Sequence, residues 1–343
     1  MPAITGTGTA VGSQIKSNFD IAEFSNLQER STTVDRLGRK VGIEARHWVD
    51  TGEPVSELAS QALLVAMEAS GITKNDVDSL YLATSTPDRQ AVNTAATLQE
   101  KLDLRNNIFG SVNMDACPGW ISAVYKAVNE LSGRFGTNHK VAVIGAEVTS
   151  LFMDPNPEKI STTILFGDAA GATIWENVTP DQGAPLVMGF AFGLDGKYAD
   201  NLGIIGSGSD NPTNDVLKNG LHSLHMDGKI VFDQATRRIP QVTTEALQNA
   251  CIPQEEVDWF IFHQANLKII QAAADALNIP FEKCIITIQD MGNTSSASIP
   301  TALDRGIRDG RIQRNHIIAT GSFGGGLFYA GAVFPMVGLQ SNK

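Results

Sequence analysis

The segment Ile72-Thr73-Lys74-Asn75-Asp76-Val77-Asp78-Ser79-Leu80-Tyr81-Leu82 returns 180 positions later as Ile252-Pro253-Gln254-Glu255-Glu256-Val257-Asp258-Trp259-Phe260-Ile261-Phe262. Each copy follows an alanine-rich amphipathic stretch (62–70 and 244–251) and passes through a short acidic turn into an apolar run, which reads as helix, turn and buried strand. A second echo lies near the end of each half, Asn138-His139-Lys140-Val141-Ala142-Val143-Ile144-Gly145 against Asn315-His316-Ile317-Ile318-Ala319-Thr320-Gly321. Two echoes in the same order restrict the chain to a duplicated fold, with halves expected at 1–175 and 176–343.

Within each half, short β-branched runs alternate with helical patterns. This predicts an α/β protein of parallel βαβ units whose sheets are covered on both faces. Strands are predicted at 80–84, 108–115 and 140–147, and again at 259–263, 284–288 and 316–322. Helices are predicted over TAATLQEKLD, GWISAVYKAVNELSG and TALDRGI. The Gly-, Asp- and Asn-rich stretch from about 175 to 220 reads as an excursion between the halves. No low-complexity linker separates them, so one compact unit is expected. The first fifty residues, with the charged run NLQERSTTVDRLGRKVGIEARHW, read as a surface segment or loop more than core.

A net charge of −11 opposes broad contact with DNA, RNA or an anionic membrane. No apolar window approaches the ~18 residues of a membrane span, and the opening residues lack a basic segment followed by an apolar one. A soluble, cytoplasmic protein is expected. The three cysteines, Cys117, Cys251 and Cys284, fit neither a disulfide framework nor a paired CxxC zinc site. The odd count leaves room for one functional thiol.

Cys117 sits where a predicted strand ends and a helix begins at once, with Pro118 fitting the first turn. The partial positive charge and free N–H groups of a helix N-terminus favour a thiolate; a small buried apolar residue is the equal alternative. His263 ends the strand WFIFH, at the position of Ala83 in the duplicate, where open α/β sheets place their crevices. A satisfied structural histidine is the competing reading, although an apolar strand is a poor place for an idle polar group. Asn293, in GNTSSAS between a strand and a helix, is either a turn or cap residue or the second half's counterpart of the Cys117 corner. The cluster GSFGGGLF at 321–328 has no dinucleotide or phosphate-loop spacing. It suits a tight bend, a backbone oxyanion hole, or both. FGDAAGA at 166–172 marks close strand packing.

Taken together, ACPGW, HQANLK, GNTSSAS and FGGG, in this order, resemble the β-ketoacyl-(acyl-carrier-protein) synthase III family of thiolase-like condensing enzymes. VGIEARHW, FGDAAGA and DRGIRDGRI extend the likeness over nearly the whole chain. The resemblance implies a five-layered αβαβα fold and a homodimer. Cys117 would take an acyl group from an acyl-coenzyme A or acyl-carrier-protein thioester. The N–H groups of Cys117 and Gly325 would form the oxyanion hole. His263 and Asn293 would then hold the enolate made when a malonyl-carrier-protein thioester loses carbon dioxide, and the product would be a 3-ketoacyl thioester. Coenzyme A enters as part of a substrate, and no cofactor or metal is implied.

Against the family pattern TxDEWIxxRTGI, the tryptophan that stacks on adenine becomes Arg36 and the nearby arginine becomes Lys40; a guanidinium can still stack or meet phosphate. Lys268 follows HQANL in place of arginine. Asp233 and Asp275 stand where carrier-docking lysines are common, leaving Arg237 and Arg238 to supply positive charge. The resemblance implies that Phe323 packs beside the sulfur; Trp120 replaces a phenylalanine, either narrowing the acyl pocket or packing in the core. Arg89, in the loop that approaches a partner's acyl pocket, suits either a charged acyl group or a solvated loop. The altered start segment points to a specialised pathway. Two alternatives stand beside this reading: transfer of the Cys117 acyl group to an oxygen or nitrogen nucleophile, and a non-catalytic subunit that stabilises a partner.

Overall fold

The computed structural model describes residues 1–133, 139–206, 208–209 and 220–339. The first half runs β1 (Pro2–Val11), β2 (Gln14–Ser17), α1 (Asn18–Phe24), α2 (Ser31–Val41), β3 (Ala45–Trp48), α3 (Val55–Ser70), β4 (Ser79–Ala83), α4 (Thr94–Lys101), β5 (Phe109–Asn113), α5 (Gly119–Ser132), β6 (Lys140–Glu147), a single turn α6 (Ile160–Thr163) and β7 (Ala169–Asn177). The second half runs β8 (Gly189–Leu194), β9 (Leu202–Ile204), β10 (Leu224–Met226), α7 (Gly228–Asn249), β11 (Trp259–Phe262), α8 (Leu267–Ala276), α9 (Ile288–Met291), α10 (Ser298–Arg308), β12 (Ile317–Gly324) and β13 (Phe328–Pro335). Asn138 of the second echo and residues 207 and 210–219 of the predicted excursion lie outside the described residues. The expected boundary at 175/176 falls inside β7.

Two sheets carry the fold, in strand orders β1-β7-β6-β4-β5 and β11-β12-β13-β8. In the first, three parallel strands (β5, β4 and β6) are continued by antiparallel β7 and β1; in the second, the parallel pair β11 and β12 is continued by antiparallel β13 and β8. The sheets are therefore mixed, not the all-parallel ones expected. Helices α3 and α4 cover the outer face of the first sheet over a core that includes Leu58, Leu63, Leu80 and Ile144. Helices α5 and α10 lie between the sheets, in a core shared by Trp120, Val143, Ala302, Leu303, Ile318 and Phe334. Helices α7 and α8 close the far side. These are the five αβαβα layers that the resemblance implies.

The duplication is visible atom by atom. The Lys140 N–H donates to the Asp78 carboxylate at 2.8 Å, and the Ile317 N–H donates to that of Asp258 at 2.7 Å. The same acidic side chain thus starts the same strand pairing in both halves. Helix α3 ends on Gly71 at φ 72°, and its copy α7 is followed by Cys251 at φ 54°, a left-handed position that a non-glycine residue adopts at some cost.

The first fifty residues are not a surface loop. Residues 2–11 form β1, an edge strand paired with β7 and buried along most of its length. Its PAITGTGTAV pattern hides this because the small residues answer to packing: a Cβ on Gly6 or Gly8 would lie 2.3 or 2.4 Å from carbonyl oxygens of α3. The Thr7 hydroxyl reaches Asp304 of α10 at 2.7 Å, tying the strand to the second half. Further on, α2 shows its charges to solvent while Val34 and Gly38 are buried. Arg46 is wholly buried and donates to Asn18 Oδ1 at 2.9 Å and the Ile164 carbonyl at 2.5 Å. Burial lowers its pKa to about 10.

The predicted strand 284–288 is also corrected. It keeps one bridge, Phe260 to Cys284. Beyond it the Gln264 side chain takes over, donating to the Ile285 carbonyl at 3.2 Å and accepting from the Thr287 N–H at 2.9 Å. With its backbone groups met by a side chain, the segment turns directly into α9.

Candidate active site

A cavity of about 550 Å³ is lined by both halves, including Cys117, His263, Asn293, Phe323 and Gly325. Five of the residues singled out from sequence thus meet in one space. Among the described residues, the titratable groups on its wall are Cys117, Glu147 and His263.

Cys117 lies between β5 and α5, reached through Ala116 in the left-handed region at φ 50°. That turn brings the sulfur to the start of α5, where the sequence pattern placed it. The expectation of a lowered thiol pKa is not met. Burial pushes it up to about 12, and the nearby Glu147 carboxylate adds to the shift. The Ser295 hydroxyl, 3.5 Å from Sγ, and the Cys117 N–H act in the opposite sense but do not prevail. The resting residue is a thiol. The glycine cluster presses against it: a Cβ on Gly324 would lie 2.8 Å from the Cys117 nitrogen. Gly325 follows on the cavity wall, and Gly326 turns the chain at φ 103°.

His263 follows β11, with its N–H held by the Gly321 carbonyl at 2.9 Å. Burial lowers its pKa to about 3, so the ring is neutral. Its Nδ1 lies 2.7 Å from the hydroxyl of Ser298, the first residue of α10. Among the described residues that buried hydroxyl has no other acceptor, so its hydrogen belongs on Nδ1 and the ring's own hydrogen on Nε2. Asn293 is oriented in a similar way. Its Oδ1 accepts from the Ser295 N–H at 2.9 Å, which turns the Nδ2 donors the other way. Its backbone is pinned to Leu165 and Gly167 at 2.8 and 3.0 Å. The site therefore offers a thiol nucleophile and two neutral hydrogen-bond donors facing one space. Acyl transfer with stabilisation of a developing oxyanion needs this kind of set.

Sequence reasoning missed Glu147, Ser295, Ser296 and Ser298. Glu147 ends β6 with no exposed surface. It accepts from Ser85 N–H at 3.0 Å, from the hydroxyls of Thr86 and Ser296 at 2.9 Å each, and from that of Ser295 at 3.3 Å. Burial raises its carboxyl to about 7 against these hydrogen bonds. The signal was a single charge closing the apolar run VAVIGAE.

The outlying candidates divide. Trp120 does not line the cavity. It is fully buried between the sheets, 6.3 Å from the ring of Phe334, because it sits on the face of α5 turned toward the second sheet. Arg89 is exposed in the loop after β4. Arg36 and Lys40 are exposed on α2, one position before Leu37 and Val41, which do line the cavity. Lys268 is exposed in the first turn of α8. Arg237 is exposed on α7, whereas Arg238 is turned inward, 3.1 Å from Asp195 and over the Tyr329 ring at 4.9 Å. Arg238 is thereby committed within the protein. No group of metal-ligating side chains and no helix long and apolar enough to cross a membrane occurs among the described residues.

Residues 113–196 match the family model for 3-oxoacyl-[acyl-carrier-protein] synthase III, and residues 247–336 match the model for its C-terminal part. A β-ketoacyl-[acyl-carrier-protein] synthase III from Microcystis aeruginosa is 35% identical over 335 residues, 96% of each chain. One from Methylococcus capsulatus is 36% identical over 330 residues, covering 96% of this chain and 97% of that one. Among solved structures, the synthase III from Thermus thermophilus superimposes with a TM-score of 0.84 at 31% identity, over 97% of this chain and 98% of its own.

Proposed function

Because the chain belongs to the 3-oxoacyl-[acyl-carrier-protein] synthase III family and is thus an acyl-transferring condensing enzyme, we propose that it loads an acyl group from a thioester onto Cys117 and extends it with a malonyl thioester. In the first stage Cys117 attacks the thioester carbonyl, the N–H groups of Cys117 and Gly325 receive the oxyanion, and the thiol of the donor departs. In the second, a malonyl-carrier-protein thioester loses carbon dioxide. Nε2–H of His263 and Nδ2–H of Asn293 donate to the enolate oxygen as its charge develops. The resulting carbanion attacks the acyl-cysteine, frees the sulfur and yields a 3-ketoacyl thioester. The observation that carries this reading is the single cavity shared by Cys117, His263 and Asn293, with both donors fixed by their own hydrogen bonds.

Among the described residues the cavity wall carries no lysine or arginine, which favours an uncharged acyl chain. Arg36, Lys40 and Lys268, exposed on α2 and α8, would meet the phosphates of coenzyme A or of a carrier's pantetheine arm. A homodimer is part of the same proposal. Strand β5 is an open edge of its sheet with Phe109 54% exposed, and α5 beside it carries Tyr125, 5.1 Å from the ring of Phe192. Such an edge calls for cover. The test is the intact mass of the protein after incubation with acyl-coenzyme A thioesters. A hydroxylamine-labile gain lost in Cys117→Ser, followed by malonyl-dependent release of carbon dioxide, supports the reading. No gain with coenzyme A or carrier-protein donors refutes it.

A further inference from the structure

Loading Cys117 requires that its thiol proton go somewhere, and His263 is not placed to take it. With the Ser298 hydroxyl, 2.7 Å from Nδ1, assigned as the donor, the ring's hydrogen sits on Nε2 and no free lone pair is left for the thiol. The other titratable group on the cavity wall is Glu147. It is buried without an ion pair among the described residues, and hydroxyl and backbone donors surround it. An uncompensated buried carboxylate is costly to maintain, so its place calls for a reason.

Ser295 supplies the link. Its Oγ is 3.5 Å from Cys117 Sγ and 3.3 Å from Glu147 Oε1. A hydroxyl has one hydrogen, so it can donate to only one of the two at a time. Ser295 is also held in the left-handed region at φ 49°, with its N–H fixed by Asn293 Oδ1. Strain of that kind persists where the surroundings enforce it and clusters at working sites. The same turn thus orients the Asn293 amide and sets the hydroxyl between sulfur and carboxylate.

We propose that Glu147 is the base for Cys117, acting through the Ser295 hydroxyl. The S–H bond breaks as its proton passes to Ser295 Oγ, while the Ser295 hydrogen passes to Glu147 Oε1. A thiolate, an intact serine and a neutral carboxyl result. The thiolate then forms the C–S bond to the acyl group, and the departing donor thiolate takes up a proton, which returns Glu147 to its anion. Until the C–S bond forms, Cys117 and Glu147 share one negative charge between them, which avoids two anions in one low-dielectric pocket. The carboxyl's rise to about 7 by burial suits it to this exchange near neutral pH.

This inference rests on Cys117 being the nucleophile, and its test needs no acyl donor. The rate of Cys117 alkylation by iodoacetamide, followed at that site by peptide mass spectrometry from about pH 5.5 to 9.5, is compared among the parent, Glu147→Gln and Ser295→Ala. The parent is expected to reach a plateau near neutrality. Both variants are expected to lose that rise and to react at least about tenfold more slowly near pH 7.5. Ser295→Thr, which keeps a hydroxyl, retains the rise, and this comparison stands even where Glu147→Gln does not fold. Faster alkylation in Glu147→Gln would show that the carboxylate only repels the thiolate. An unchanged profile in Ser295→Ala would remove the serine from the path. Either result overturns the proposal while leaving the acyl-enzyme experiment to judge the wider function.

Discussion

The Ser298 hydroxyl lies 2.7 Å from Nδ1 of His263, so the first residue of α10 fixes the hydrogen of the imidazole on the cavity side. Removing it should affect the stage that uses that hydrogen. Ser298→Ala is expected to form acyl-enzyme at a rate within about twofold of the parent and to lose about tenfold or more in malonyl decarboxylation, in keeping with the loss of a positioned proton donor. Mass spectrometry reads the first stage and labelled carbon dioxide the second. Equal loss in both would mean that Ser298 supports the site as a whole.

Gly324→Ala tests how closely the glycine cluster seats the nucleophile. The added carbon would stand 2.8 Å from the Cys117 nitrogen and 3.0 Å from its Cβ. The backbone must shift, at roughly 1–3 kcal/mol for overpacking of this kind, and a small misplacement of the sulfur costs on the order of a hundredfold in rate. Chemical denaturation and acyl-enzyme formation should both fall; unchanged acylation would show that the turn tolerates the side chain.

Glu147 also leaves a mark on stability. Its carboxyl is raised from 4.5 to about 7, so between those values the folded state holds a proton that the unfolded state has released. The associated stability is full below the lower value and is lost as pH rises through the upper one. Glu147→Gln does not titrate, and relative to the parent it should gain on the order of 2–3 kcal/mol between about pH 5 and pH 8. Urea denaturation at the two pH values measures the difference, and a constant offset would contradict it.

Charge at the mouth is a fourth part of the site open to test. Arg36→Glu with Lys40→Glu should raise KM for an acyl-coenzyme A donor by about tenfold at low salt, with kcat little changed and the penalty shrinking as ionic strength screens it. A KM that does not move would place the coenzyme elsewhere.

Much of this site could be read from the chain because its chemistry sits at strand-to-helix corners, where residue type and local pattern agree. Cys117, His263 and Asn293 were such positions, and the Asp78 and Asp258 copies marked the duplication that aligns them. What escaped reading did so for identifiable reasons. In β1, Gly6 and Gly8 look like linker residues, but their smallness serves the close approach of α3. The run at 284–288 has a strand's composition, yet the Gln264 side chain occupies the place of a neighbouring strand. Glu147 looked like the ordinary charged end of an apolar strand. Its role depends on Ser295 and Ser296, residues distant in sequence that only folding brings to it.

The pairing of β1 with β7 has a consequence for how the chain is made. Strand β1 leaves the ribosome as an edge whose partner comes only after the rest of the first half, and its Thr7 hydroxyl waits longer still for Asp304. Contacts of such long range close late and slowly, so the nascent first half carries an unpatched sheet edge until β7 emerges. During that interval the glycine- and threonine-rich composition of β1, with few large apolar groups, keeps the waiting strand from being a strong seed for aggregation.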